Sequence, residues 1–399
     1  MGTHYAEIQD DRENVLWHGR VKNDREGLDF LIGKIRTVER SNSQETIGIF
    51  MNATGNYHIP LKYFLEQNGY AGKTHLVDAR RTAYQRESEN LGKEKSDAQD
   101  AHILAATPFK SKKALERNDH ERLPLSEVTR EREIIVKNVT RIKSLIHADL
   151  SAVFPEFSSS MNTDSKTGMA LLEEFTTPAN VSNLDQDKLL RFMQKTGRNN
   201  FSMKDVQNLI ETAKRSIGIP DAEGAYSFRI RINLRRLKNE LSALKDVEEE
   251  IESRSSGNGD MSHLKEMKGI GTVNAAVIVS EIGDIKQFGS ALKLQSYGGK
   301  CPDITGSGGK TQAKGVTRVR NSHLSNAVYE SAVSLVLHRN HEFHELFQRE
   351  VTKKKSNVEA CITVGKRLLF HVHSIMKNGK PYKERFPMRQ GEGGTSTGA

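Results

Sequence analysis

Two long amphipathic runs restrict this chain more than any other feature. From Leu125 to Val153 the apolar residues Val128, Ile135, Val139, Ile142, Ile146, Leu150 and Val153 return mostly at spacings of three and four. Arg130, Arg132, Lys137, Arg141 and Lys143 fall on the other faces. Pro155 ends the run, since proline has no N–H to carry a helix onward. The second run is stricter: Ile230, Leu234, Leu237, Leu241, Leu244 and Ile251 keep a heptad seam in which Glu248 is the polar intrusion. Such stripes are packing surfaces, and they predict either a helical hairpin or an intermolecular coiled coil. Arg229, Arg231, Arg235, Arg236 and Lys238 flank the second seam, in a pattern that suits phosphates or a solvated helix flank equally. Residues 158–225, between the runs, read as a less regular set of short helices without assignable chemistry.

Ahead of the helical region the signals alternate between strand and helix. Tyr5-Ala-Glu-Ile8 and Val15-Leu-Trp17 flank the polar turn Asp10-Asp-Arg-Glu-Asn14, the pattern of a hairpin. Asn23 or Asp24 then caps a helix through Leu28, Leu31, Ile32 and Ile35. Thr46-Ile-Gly-Ile-Phe-Met51 predicts a buried strand, Thr54-Gly55 a turn, Leu61, Phe64 and Leu65 a helix, and His75-Leu-Val77 another strand. The whole predicts an α/β domain over 1–107, a helical and coiled-coil region over 108–257, and a further helical domain over 258–386. The boundary before that domain is the Gly/Ser-rich stretch Ser253-Arg-Ser-Ser-Gly-Asn-Gly-Asp260, and 387–399 is expected to be a disordered tail.

Charge and cysteine usage narrow the class. The formal net charge is +9, from 60 Lys+Arg against 51 Asp+Glu, which favours a polyanionic partner such as nucleic acid. Cys301 and Cys361 make neither a disulfide framework nor a metal-binding cluster, which fits a reducing compartment. No apolar run has the length of a membrane span and no signal-peptide core is present, so a cytoplasmic protein without a membrane partner is expected.

Three motifs carry chemistry. In Lys95-Ser-Asp-Ala-Gln-Asp-Ala-His-Ile-Leu-Ala105, Asp97 and Asp100 stand three apart and share one helix face. Two carboxylates so placed repel unless a cation or proton lies between them, and oxygen ligands suit Mg2+ or Mn2+; the plain alternative is an acidic first turn of a solvated helix. Leu264-Lys-Glu-Met-Lys-Gly-Ile-Gly271, followed by Thr272-Val-Asn-Ala-Ala276, has the form of a helix-hairpin-helix. There Gly269 and Gly271 would let the backbone approach a phosphate, the next helix start would receive it, and Lys268 would add charge. Tyr297-Gly-Gly-Lys-Cys-Pro-Asp-Ile-Thr-Gly-Ser-Gly-Gly-Lys310 places Ser307 among glycines, with Lys310, Lys314, Arg318 and Arg320 following. An uncrowded serine suits a nucleophile attacking phosphorus, and the cations suit charge developing on its oxygens; taken alone, the stretch is a flexible loop.

In this order, and together with Met51-Asn-Ala-Thr-Gly55 and the Phe288 to Pro302 stretch, these motifs resemble the DEDD-type insertion-sequence transposases, recombinases directed by a structured bridge RNA. The resemblance spans almost the whole chain. It implies a RuvC-like N-terminal domain of RNase H type whose four acidic residues bind divalent metal, and a C-terminal transposase domain with a serine nucleophile. By this match Asp97 and Asp100 are the last two acidic residues, Ser307 is the nucleophile, and DNA, a guide RNA and further copies of the chain are the partners. Two positions depart from the pattern. The opening Met1-Gly-Thr-His4 matches residues just after the family's first aspartate, so that ligand is missing, as it would be in a chain that starts too late; Asp10 and Asp11, in the expected turn, are poor substitutes. The family's glutamate is replaced by Asn52, whose amide oxygen supplies no charge. The expected activity is DNA cleavage and strand transfer of an insertion sequence. The alternatives are a degenerate transposase that only binds nucleic acid and a RuvC-like endonuclease that uses metal alone.

Overall fold

The turn after the first strand is built by one carboxylate. Asp10 accepts hydrogen bonds from the backbone N–H of Arg12 (2.9 Å) and Asn14 (2.8 Å) and from the Asn14 side chain (2.8 Å), and these pull its carboxyl below the usual range. This turn joins β1 (Thr3–Gln9) to β2 (Val15–Lys22) in an antiparallel ladder with Thr3 opposite Lys22 and Ile8 opposite Trp17. Helix α1 (Arg25–Ser41) follows, capped by Asp24, whose Oδ1 accepts from the Gly27 N–H at 2.8 Å. Its stripe of Leu28, Leu31, Ile32 and Ile35 is buried. Next come β3 (Ile49–Asn52), α2 (His58–Leu65) with a π turn over Glu66–Tyr70, and β4 (Thr74–Val77), parallel to β3 with Asn52 opposite Val77. Helix α3 (Asp97–Lys110) packs against both β1 and β3.

The computed structural model describes residues 2–41, 47–52, 57–77, 82–83, 85–86, 96–110, 124–197, 200–221, 223–300, 302–307, 310–316, 320–353 and 355–383. Within strands β5 and β6, and over the last turn of α3, it describes the backbone alone. The expected turn at Thr54-Gly55, residue Arg318 and the tail over 387–399 lie outside these residues. The chain divides into two compact units, Met1–Glu121 and Arg122–Ala399.

Alternation along β1 sorts the first unit into layers. Ala6 and Ile8 pack against the core of Val21, Leu28, Ile32, Met51, Leu61 and Leu65, while Glu7 and Gln9, on the opposite face, reach His102 of α3. Helices α1 and α2 therefore cover one side and α3 the other. The strands form two separate ladders, β1–β2 and β3–β4, with no hydrogen bonds between them. This is an α/β unit, as expected; the described residues do not join its strands into one sheet.

The second unit is built on α4 (Leu125–Val153) and α10 (Ala225–Ser255), which pack against each other. The contacts Arg132 to Glu248, Asn138 to Glu240 and Asp149 to Arg229 run in opposite chain directions, so the pair is an antiparallel helical hairpin within one chain. Between them lie α5 (Phe157–Ser160), α6 (Lys166–Glu174), α7 (Pro178–Ser182), α8 (Gln186–Thr196) and α9 (Met203–Lys214). Ser165, Thr177 and Asp185 each cap the helix that follows by accepting a backbone N–H, and Ser202 closes a capping box with Asp205. These short helices fold over one end of the hairpin around Phe154, Phe157, Leu171, Leu209, Ile230 and Leu234.

A second core gathers at the other end, where Leu125 and Ile251 join α11 (Gly259–Lys265), α12 (Thr272–Ile282), α13 (Ala291–Tyr297), α14 (Ser322–Leu337), α15 (His341–Thr352) and α16 (Asn357–Asn378). Strands β5 (Pro302–Ser307) and β6 (Lys310–Val316) form an antiparallel ladder between α13 and α14 in the chain. Between the two cores the seam is only partly covered: Ile135 is buried, whereas Leu241 is 36% exposed. Among the described residues no helix is long and apolar enough to cross a membrane.

Candidate active site and nucleic-acid interface

Ser307 is the last residue of β5, directly opposite Lys310 at the start of β6. The residues between them, Gly308 and Gly309, lie outside the described set. The expected flexible loop is thus corrected to the turn end of a β-ladder. The signal was in the sequence: Ile304-Thr305 and Thr311-Gln312 are strand-compatible stretches on either side of a Gly-Gly pair, the spacing of a two-residue hairpin turn. Lys310 and Lys314 both lie on β6.

The base of this ladder is held by a buried polar network. Asn321 donates its backbone N–H to the Tyr297 carbonyl at 2.8 Å, which closes the chain on itself across the ladder. Its side-chain oxygen caps α14 by accepting from the Leu324 N–H at 3.0 Å. Its amide N–H groups reach Glu281 Oε2 at 2.7 Å and Tyr297 Oη at 2.8 Å. Glu281 is 0% exposed and also receives Arg130 Nε and Nη2, both at 2.7 Å. Burial pushes its carboxyl up, but the hydrogen bonds from Arg130 and Asn321 outweigh this and leave it below the usual range. Lys300, also at the base, is buried and donates Nζ–H to the Ser325 carbonyl at 3.0 Å and hydroxyl at 3.3 Å. Desolvation, with repulsion from Arg320, brings its ammonium down to about 8. Arg320 itself is exposed. Sequence reasoning missed Glu281, because nothing in a helical stripe marks which charged residue is turned inward, and Lys300, because a loop position gives no sign of burial.

The two glycines of Gly269-Ile-Gly271 have different surroundings. Gly269 has φ +118°, and a Cβ there would lie 3.0 Å from Leu335 Cα, so its missing side chain is what lets the turn press against α14. Gly271 caps α12 with open space around it, and Lys268 is exposed. Packing therefore accounts for Gly269 without a phosphate, whereas Lys268 and Gly271 remain on the solvent side of the α11–α12 turn. In the basic flank of α10, Arg229 pairs with Asp149 at 3.0 Å and Lys238 pairs with Glu173, whereas Arg231, Arg235 and Arg236 are exposed and none makes an ion pair with a carboxylate among the described residues.

In the first unit Asp97 and Asp100 both fall in the first turn of α3, where Ser96 bonds the N–H of Gln99 at 3.2 Å. Asp97 is exposed. Asp100 is mostly buried and its Oδ1 lies 3.4 Å from Arg86 Nε, with neither atom hydrogen-bonded. Asn52, at the end of β3, accepts from the Thr82 hydroxyl at 2.9 Å. A third carboxylate, Glu7 of β1, is committed to His102 Nδ1 at 2.7 Å and to the Gln9 amide at 2.6 Å. Among the described residues no group of three or more His, Cys, Asp or Glu is placed to hold a metal ion. Two carboxylates, one of them facing a guanidinium, and an amide already used as an acceptor do not fit a resident Mg2+ or Mn2+ without further ligands.

Residues 1–155 match a DEDD-type IS110 model described as a transposase, and residues 261–348 match a model described as transposase of the IS116/IS110/IS902 family. The chain belongs to the IS110 family of transposases. It is 24% identical to the IS117 mini-circle protein of Streptomyces coelicolor, over 81% of this chain and 79% of that one. It is 22% identical to the 43.6 kDa protein of insertion element IS110 of the same organism, over 74% of each chain. Identity to the transposase for insertion sequence element IS1111A of Coxiella burnetii is 22%, over 37% of this chain and 41% of that one.

Proposed function

We propose that this chain cleaves and rejoins DNA to move an insertion sequence, with Ser307 as the attacking group. The observation that carries this reading is the position of Ser307 at the turn end of the β5–β6 ladder, opposite Lys310, on a base pinned by Asn321. In this scheme the Ser307 hydroxyl oxygen bonds to phosphorus as one P–O ester bond breaks. The hydroxyl proton passes through solvent to the departing DNA oxygen, which leaves as an alcohol. A hydroxyl of the acceptor strand then attacks the serine phosphodiester and releases Ser307. Lys310, Lys314, Arg318 and Arg320 follow Ser307 in the chain and would balance charge on the phosphate oxygens. Lys268 and the start of α12 at Gly271 offer a backbone phosphate contact. The RNase H-like character of the first unit, its Mg2+ or Mn2+, the guide RNA and assembly into a homo-oligomer rest on the family resemblance, and no step is routed through a metal.

Asn52 and the Asp100 to Arg86 pair favour a second reading, a chain that binds nucleic acid without cutting it. A recombination assay with the element's flanking RNA separates the readings. Ser307→Ala is expected to abolish strand transfer and leave DNA affinity unchanged, and wild-type recombination from that variant would sink the serine assignment. Loss of cleavage in Asp97→Ala with full cleavage in Ser307→Ala would instead identify a metal-only endonuclease. Silence of the parent chain, with DNA binding retained and no thermal stabilisation by Mg2+, would favour the binding protein.

A further inference from the structure

Helix α4 reaches the base of the serine ladder at two points one turn apart. Arg130 grips the buried Glu281 with two hydrogen bonds, and Glu281 in turn accepts from Asn321, the residue at which the chain returns from β6 into α14. Three residues along α4, Glu133 pairs with His323 in the first turn of α14. Lys137 stands one turn further on and pairs with Glu133 at 2.7 Å. On the other side of the base, Tyr297 ends α13, receives both the backbone N–H and the side-chain amide of Asn321, and donates its hydroxyl to the Glu281 carbonyl at 3.3 Å. Both ends of the ladder segment therefore meet at Asn321, and Asn321 is tied through Glu281 to α4.

A two-stranded ladder has little stability of its own, so its direction is set by what holds its base. A nucleophile displaced by about 1 Å loses on the order of a hundredfold in rate. A fully buried carboxylate with a fixed fork of donors is a stiff anchor, because any rotation away from Arg130 leaves charge without a partner in a dry site.

We infer that Arg130, Glu281 and Asn321 are positioning residues that fix the direction of the β5–β6 ladder, and with it Ser307, relative to the α4–α10 hairpin. The activity part of this inference rests on Ser307 being the nucleophile; the geometric part does not. Asn321→Asp is the informative variant, since an aspartate still accepts from the Leu324 N–H as the α14 cap but sets a carboxylate against Glu281. Glu281→Gln combined with Asn321→Asp restores the bond between these two positions with its polarity reversed, but the amide nitrogen then stands where Glu281 Oε2 also accepts from Arg130 Nη2, so only the Arg130 Nε bond is kept.

The test uses the full chain with Cys301→Ser and Cys361→Ala, spin-labelled at Gln312 on β6 and Lys377 on α16, with the distance distribution read by pulsed electron resonance. Asn321→Asp is expected to broaden or shift the distribution and to lower the single-turnover strand-transfer rate by about tenfold or more, with DNA affinity held. The double variant, which regains the 281–321 bond but not the Arg130 Nη2 bond, is expected to return both readouts part of the way toward the parent. A parent-like distribution in Asn321→Asp overturns the inference, and so does failure of the double variant to recover it. Ser307→Ala must leave the distribution unchanged, so full recombination by that variant defeats the serine reading alone and leaves the geometric claim to the distances.

Discussion

At the scale of single residues, identical letters do different work according to what lies beside them. Gly269 and Gly271 look equivalent in the sequence, yet the first is required by a positive φ and the backbone of α14, while the second faces open space at the start of α12. Gly269→Ala should cost about 1–3 kcal/mol of stability, from left-handed strain and displacement of α14. Gly271→Ala should leave the urea midpoint nearly unchanged and weaken DNA binding, because its Cβ would stand where a phosphate approaches. Urea unfolding and a DNA titration on the two variants check both expectations, and a reversed pattern would move the phosphate contact elsewhere. The carboxylates show the same limit of sequence reading. Asp97 and Asp100 announce themselves by spacing, but Arg86, which faces Asp100, and Thr82, which occupies Asn52, come from chain segments whose proximity no spacing rule gives.

At the scale of elements, periodicity was legible wherever one face is buried over several turns. The run from Leu125 to Val153 is α4 to the residue, and the heptad run lies within α10. The hairpin at Asp10 to Asn14 and the strand at His75 to Val77 were legible for the same reason, a short pattern with turn chemistry beside it. What the heptad could not give is where its packing is used. Leu234 and Leu237 are fully buried in the cap core, whereas Leu241, in the middle of the hairpin, is 36% exposed. Leu234→Ala should therefore cost about 2–5 kcal/mol, and Leu241→Ala less than about 1 kcal/mol. Chemical denaturation of the two variants measures the difference; equal costs would mean that another chain covers Leu241, as an intermolecular coiled coil requires. Strand β5 was misread because it is short, opens on Pro-Asp and runs into Gly306 and the Gly308-Gly309 pair, so local chemistry resembled a loop, and pairing with β6 is a two-segment property.

At the scale of the whole molecule, the proposed reactive groups are divided between units. Asp97 and Asp100 belong to Met1–Glu121, and Ser307 belongs to Arg122–Ala399. If catalysis needs both sets and subunits share them, a mixture of Ser307→Ala and Asp97→Ala chains should recover part of the recombination that each lacks alone. A plasmid assay on co-expressed variants reads this directly; complete silence of the mixture, with each variant still binding DNA, would require both sets in the same chain. The sequence patterns end the α/β part near Thr107, whereas the two compact units meet between Glu121 and Arg122. The open arrangement of two ladders in the first unit was not legible, since hydrogen bonding between non-adjacent strands leaves no mark on either strand's own pattern.

The α4–α10 hairpin also acts as a gauge. Its helices have 29 and 31 residues and join the cap core to the C-terminal core, cross-linked between them by Arg132 to Glu248 and Asn138 to Glu240. At roughly 1.5 Å per residue this is a strut of about 45 Å. A whole heptad added to both helices would push the cores about 10 Å apart and nearly keep their mutual facing, whereas an insertion of one or two residues would swing one core around the strut's axis by roughly 100° per residue. The separation of the two cores is therefore counted out in the gene, seven codons at a time.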